Sequence, residues 1–242
     1  MFDAVKVKND CVRWIRDWFE NNGKGCNAVI GISGGKDSSV VAALCVEAIG
    51  KDRVIGVLMP NGEQSDIQDA ISVCDFLDID RYLINIKKAI KSLKKSTSIK
   101  LSSQAEINLP PRIRMSTLYA VSQSMNGRVV CTDNMSESYI GYSTRWGDSV
   151  GDFSPLANLT SDEVVAVGDA CGLPHELTHK TPADGLCGKT DEDNLGFSYE
   201  VLNKYIRTGV CEDETIKTKI DEKHQKNLFK LQPIPSFQYQ EL

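Results

Sequence analysis

The stretch "GISGGKDSS", Gly31 to Ser39, decides how the chain is read, because it joins the apolar run "NAVI" to a second apolar segment. A short apolar run bounded by turn residues predicts a strand buried on both faces. Ser38 to Ile49, stopped by Gly50, predicts a helix. A glycine-rich turn between strand and helix suits an anion. Ser33, Gly34 and Gly35 can turn backbone N–H groups toward it, and the helix directs its positive end at the same point. The stretch is not a Walker A loop, which needs G-x-x-x-x-G-K-[ST]. Aligned on Gly35 and Lys36, that pattern fails at its first position, Ile30, and at its last, Asp37.

Outward from the loop, periodicity alternates. Val5, Val12, Ile15, Trp18 and Phe19 recur at helical spacing over residues 4 to 20, ahead of the glycine stop in "NNGKG". After the loop's own helix, "RVIGVLM" predicts a strand, "DIQDAISVCDFL" a helix and "RYLINI" a third strand. A helix from Arg114 to Met125 and a strand at "RVVCT" follow. "SDEVVAVGDACG" predicts a helix with Thr160 as its cap and Gly172 as its stop, and Glu212 to Leu228 a polar one. Such alternation implies an α/β fold: a doubly wound, mostly parallel sheet flanked by helices. With no internal repeat and no interior linker, residues 1–242 are expected to form a single domain. The tract from Lys87 to Lys100 interrupts the pattern and reads as a solvated loop, with a phosphate-facing lid as the alternative.

Composition narrows the function classes. The chain has 242 residues, 41% of them hydrophobic, which suffices for a packed core. A net charge of −5 creates no global field that would recruit nucleic acid. No apolar run reaches the ~20 residues that span a bilayer. The charges in "MFDAVKVKND" stand where a signal peptide needs its apolar region, so a cytoplasmic protein is expected. Eight cysteines without a C-x-x-C pair read as reduced, mostly buried thiols. His175 and His179 have a spacing that could chelate metal on a helix. Pro174, Pro182 and the lack of a third ligand instead favour surface or capping roles.

Asp37 needs its own account. A carboxylate beside bound phosphate repels it unless a divalent cation lies between them, so Asp37 is a candidate Mg²⁺ ligand.

The arrangement S-G-G-x-D-S resembles the signature of the N-type ATP pyrophosphatases, which cleave ATP between its α and β phosphates. Longer stretches are similar to one branch, the ammonia-dependent NAD synthetases: "RIRMSTLYAVS" from Arg112, "TDNMSESYIGYSTRWGDSVGDFSPLANLT" from Thr132 to Thr160, then "KTPADGL" and "TDEDNLGFSYEVLNKYI". The resemblance covers about residues 3 to 235 and implies an adenine nucleotide alpha hydrolase-like, Rossmann-like fold. It also implies ATP-dependent amidation of deamido-NAD to NAD by way of an adenylate, with release of AMP and pyrophosphate.

By the same resemblance, Gly31, Ile32, Ser33, Gly34, Gly35, Lys36, Asp37, Ser38 and Thr132 would bind ATP. Arg112, Arg145, Asp152 and Lys230 would contact deamido-NAD. Asp37 and Glu137 would hold Mg²⁺, and Asp37 and Asp152 would be catalytic. Glu137 has a second reading as a carboxylate at the start of a helix near Asn134, and either arginine a second reading as a surface ion-pair partner. Asp152 suits ribose hydroxyls or the incoming ammonium better than phosphate. Three positions depart from the family's pattern: Ser161 and Phe229, where lysine and histidine are common, and Ala183, where Ser or Thr is common. Lys180 or a lysine of the tract from Lys87 to Lys100 could supply the missing charge. The family's homodimers imply a homodimer here. Only 30 residues precede the loop, too few for a glutaminase domain, so free ammonia is the expected nitrogen source. Scattered cysteines and acidic charge count against a tRNA-modifying relative. Retention of Asp37, Glu137 and Asp152 counts against a merely regulatory nucleotide binder.

Overall fold

The structure, a computed structural model, describes residues 2–64, 66–180 and 191–238. The run before the loop forms β1 (Asn27–Gly31), whose Ala28, Val29 and Ile30 are fully buried. It lies inside a four-stranded parallel sheet with β2 (Val54–Leu58), β3 (Asp80–Leu83) and β4 (Gly127–Val129), in the order β3-β2-β1-β4. The chain winds from β1 to β2 and β3, then returns to the opposite side of β1 for β4. Winding therefore reverses between β1 and β4, and the crevice at their carboxyl ends is where such sheets take ligands.

One face of the sheet is covered by α1 (Ala4–Asn22), α2 (Lys36–Ile49) and α3 (Ile67–Leu77), whose apolar sides join the largest core. The other face is covered by α4 (Lys87–Ser96) and α5 (Ser103–Ser124), packed on Val29, Ile55 and Val57. After β4 come α6 (Met135–Ile140), α7 (Ser161–Ala170) and α8 (His175–Thr178), the last two packing back onto the first core. The remaining helices are α9 (Asp191–Leu195), α10 (Tyr199–Thr208) and α11 (Glu214–Leu231). With α6 they enclose a satellite cluster around Leu202 and Ile220.

The doubly wound α/β expectation holds, and four local readings change. The lysine tract is helical from Lys87 to Ser96, because Ile86, Ile90 and Leu93 form a helical stripe among the lysines and Ile90 is buried. The helix expected from Arg114 starts eleven residues earlier, at Ser103. It runs through Pro110 and Pro111, which lack the N–H groups that would bond to Glu106 and Ile107. Ser102 caps it by accepting from the Ala105 N–H at 3.3 Å. β3, expected over Arg81 to Ile86, stops at Leu83 and is an exposed edge strand, with Leu83 62% exposed. β4 ends at Val129 because an irregular segment takes over its outer edge: Asp152 N–H donates to Val129 O and Cys131 N–H to Phe153 O.

Candidate functional site

The glycine turn leaves β1 with Ile32 N–H still bonded to Val57 O, and α2 begins at Lys36 on Gly35 as its cap. Gly34 has φ of +80°, a conformation that glycine adopts without steric cost. A Cβ there would also lie 2.7 Å from both Ala70 N and Asp69 Cβ, so the turn is pressed against the first residues of α3. The serines close the loop on itself. Ser38 Oγ accepts from Ser33 N–H at 3.3 Å, Ser33 Oγ accepts from Gly35 N–H at 3.1 Å, and Ser39 Oγ donates to Gly35 O at 2.8 Å. Two of these hydroxyls thus satisfy N–H groups of the turn itself, and the third satisfies the Gly35 carbonyl.

Two residues on, Lys36 and Asp37 form an ion pair within the molecule. Lys36 is 6% exposed, and its Nζ donates to Asp37 Oδ2 at 2.9 Å. The other oxygen, Oδ1, accepts from Asn134 Nδ2 at 2.9 Å. Asn134 is fully buried and is the cap of α6, where its own Oδ1 accepts the Glu137 N–H at 3.1 Å. The fold thus brings Asp37, in the first turn of α2, to the segment beyond β4 that carries Thr132 and Glu137. That is the crevice where winding reverses. Hard carboxylate oxygens from two elements fit Mg²⁺, which takes one or two carboxylates and completes its shell with phosphate and water. Among the described residues no group of three or more His, Cys, Asp or Glu could hold a metal.

Two acidic residues beside this point escaped the sequence reading. Asp133 is 9% exposed and its Oδ2 has no hydrogen-bond partner among the described residues. Burial, then the charges of Asp148 and Asp37, push its carboxyl up to about 7, against a smaller lowering by Ser149. Asp148 is also raised by burial, while backbone N–H groups, including Thr144 N–H at 2.6 Å, pull the other way. Arg114 is largely buried near them: its Nε donates to Met59 O at 3.0 Å, and burial weakens its hold on its proton while the charges of Asp148 and Asp66 pull the other way. The R-x-R spacing was a usable signal, since residues two apart on a helix face different ways and only Arg112 was assigned a role.

The residues expected to meet deamido-NAD divide into two places. Arg112, Arg145 and Lys230 converge on the turn after α6. Arg112 donates to Arg145 O at 3.4 Å, and Lys230 Nζ to Gly141 O at 2.8 Å and Ser143 O at 3.0 Å. The Arg145 guanidinium lies between the Trp146 and Phe229 rings, 5.0 and 5.3 Å from their centroids. Phe229, set aside because histidine is common there, is therefore half of an arginine sandwich. Asp152 lies apart, on the outer edge of β4. Its Oδ2 accepts Val129 N–H at 2.8 Å and its Oδ1 the Tyr119 hydroxyl at 3.4 Å.

The departures also acquire a physical setting. Ser161 is 5% exposed and belongs to an interior network. Its N–H donates to Ser136 Oγ, its Oγ accepts from Asn203 Nδ2, and Ser136 Oγ donates to Asn203 Oδ1. Lys180 pairs with Asp69, the residue against which Gly34 is pressed. Ala183 lies outside the described residues. His175 and His179 stack at 3.9 Å, and His179 pairs with Asp169 at 3.0 Å.

The family model described as NAD synthase matches residues 7–240. The NH(3)-dependent NAD(+) synthetase of Thermococcus sibiricus is 40% identical over 206 residues, which is 84% of this chain and 80% of that one. Among solved structures, the NMN synthetase of Francisella tularensis superposes with a TM-score of 0.91 at 31% identity, covering 99% of this chain and all of that one. The NH3-dependent NAD synthetase of Campylobacter jejuni gives 0.80 at 28% identity, covering 98% and 100%.

Proposed function

The chain belongs to the NAD synthase family, and we infer from that membership that it amidates deamido-NAD to NAD, using ATP and ammonia. It is a carbon–nitrogen ligase. The nicotinate carboxylate attacks the α-phosphorus of ATP, forming an acyl adenylate and releasing pyrophosphate. Ammonia then adds to the acyl carbon, and AMP leaves as the amide forms. One NAD and one AMP appear per ATP consumed. The family match over residues 7–240 carries this reading, because it spans the glycine turn, Asp37 and the Glu137 segment together.

In that reaction, the turn from Gly31 to Ser38 and the positive end of α2 receive the phosphates, with Thr132 at the rim of the crevice. Asp37 and Glu137 would hold Mg²⁺, which supplies neutralising charge as one anion approaches another. Arg112, Arg145 and Lys230 are suited to grip the phosphates or carboxylate of deamido-NAD. Asp152 accepts hydrogen bonds in its present setting, which suits ribose hydroxyls or the incoming ammonium. Residues 1–242 act as one catalytic unit in this reading.

One observation favours a second acyl substrate. The superposition with the Francisella NMN synthetase is fuller than that with the Campylobacter NAD synthetase. The same carboxylate-to-amide chemistry on nicotinate mononucleotide would make NMN, with no second adenylyl group to accommodate. Purified protein incubated with ATP, Mg²⁺, ammonium and each acyl substrate in turn decides the matter. NAD and AMP rising one for one, with kcat/KM higher for deamido-NAD, is expected. Preference for the mononucleotide would move the assignment to NMN synthesis, and ADP in place of AMP would remove both readings.

A homodimer is the proposed assembly. The exposed β3 edge and α5 together line an apolar groove of about 320 Å³ that includes Tyr82, Ile84, Val121 and Met125. Light scattering is expected to report twice the mass of the 26.7 kDa chain, and a single-chain mass would refute the assembly. We assign the reaction to the cytoplasm, since every described cysteine is a free thiol, as a reducing compartment keeps it. Among the described residues no helix is long and apolar enough to cross a membrane.

A further inference from the structure

The amide of Asn134 is used at both ends, and the two ends serve different elements. Its Nδ2 donates to Asp37 Oδ1 at 2.9 Å, on the first turn of α2. Its Oδ1 accepts the Glu137 N–H at 3.1 Å, on the first turn of α6. The side chain is wholly buried, so neither bond is exchanged for one to water. We propose that Asn134 is a positioning residue that sets the Asp37 carboxylate relative to Glu137, so that the two form one divalent-cation site. This rests on the metal reading given above.

The chemistry explains why an amide fits. Asp37 Oδ2 is held by Lys36 Nζ at 2.9 Å, and with Oδ1 bonded to Asn134 the carboxylate plane cannot turn freely. A hydrogen bond to each oxygen still leaves each a lone pair for a cation. The helix cap alone does not require asparagine: Ser or Thr caps as well, and either is too short to reach across to Asp37 as Asn134 does. The capping role and the positioning role can therefore be separated by substitution. Asp37 itself also stands at the start of a helix, where the dipole favours its charge, so losing the amide should not drive the carboxylate away altogether. It should leave it misaligned. Partners of this kind, one bond removed from the metal, typically contribute 10–100-fold to its affinity.

The test measures ATP affinity by calorimetry, without acyl substrate so that no turnover occurs, once with Mn²⁺ and once with chelator. The ratio of the two dissociation constants is the metal-dependent gain. Asn134→Ser and Asn134→Thr are expected to lower that gain about tenfold, leaving metal-free ATP affinity and the thermal midpoint close to those of the parent. Asp37→Asn should abolish the gain. A full gain in both Asn134 variants, with Asp37→Asn defective, would overturn the positioning role and leave the metal reading intact. A full gain in Asp37→Asn would overturn the metal reading and this proposal with it. A gain lost only in proportion to a falling thermal midpoint would reduce Asn134 to a helix cap.

Discussion

Asp37→Asn is expected to lower the rate of AMP formation by about 10³-fold, the scale seen when one preorganised electrostatic group is removed from developing charge. The substitution keeps shape and removes charge. Asn134 Nδ2 can still donate to the remaining carbonyl oxygen, so the link to α6 survives. What changes is the second oxygen, which becomes an NH₂ group facing Lys36 Nζ, where Asp37 Oδ2 now accepts at 2.9 Å. Lys36 is buried and would lose this counter-charge, so a lower thermal midpoint should accompany the kinetic loss. The two effects separate on addition of metal. Raising Mg²⁺ should recover little activity, because the ligand is gone rather than weakened. Single-turnover AMP release with excess enzyme, alongside thermal unfolding, gives both readings. A rate within tenfold of the parent would take Asp37 out of the metal site.

The sequence made the turn legible because its information is local. Gly34 at φ +80°, the cap at Gly35 and the strand before them follow from neighbouring residue types. The reversal of winding between β1 and β4 was less direct. Alternation implies parallel strands, but only the return of the chain to the far side of β1 decides where the crevice opens. Long-range partners were not legible at all. Nothing local announces that Asn134 reaches Asp37, 97 positions away, or that Phe229 closes over Arg145. One helix was missed and another was cut short, for opposite reasons. The stripe of α4 was hidden under lysines, and α5 passes through two prolines that normally end a helix. Ser161 shows a different limit. Compared by residue type, it looked like a lost phosphate contact; in the fold its hydroxyl is spoken for by Asn203.

The Asp133 carboxyl carries the second large prediction, which concerns pH. Burial is the main cause of its rise to about 7, and the neighbouring charges of Asp148 and Asp37 add to it. In the unfolded chain the same group titrates near its ordinary value of 3.8. Between these values the folded state holds a proton that the unfolded state has released, so stability falls as pH rises through the window. The contribution is fully present below about 4 and is lost once the folded group ionises, near 7. The difference is equivalent to at most about 4 kcal/mol. Asp133→Asn replaces the carboxyl with a neutral group of the same shape. The variant is therefore expected to match the parent near pH 4 and to exceed it in unfolding free energy at pH 8, by an amount up to that ceiling. Urea denaturation of both proteins at pH 4.5, 6 and 8 measures the divergence. Parallel curves would mean that Asp133 ionises normally in the folded protein, and that its unpartnered oxygen is reached by solvent. Divergence would mean that the pocket stores an unfavourable charge, which a cation arriving beside Asp37 would relieve. Adding Mg²⁺ and ATP should then narrow the gap at pH 8, because the parent gains what the variant never lost.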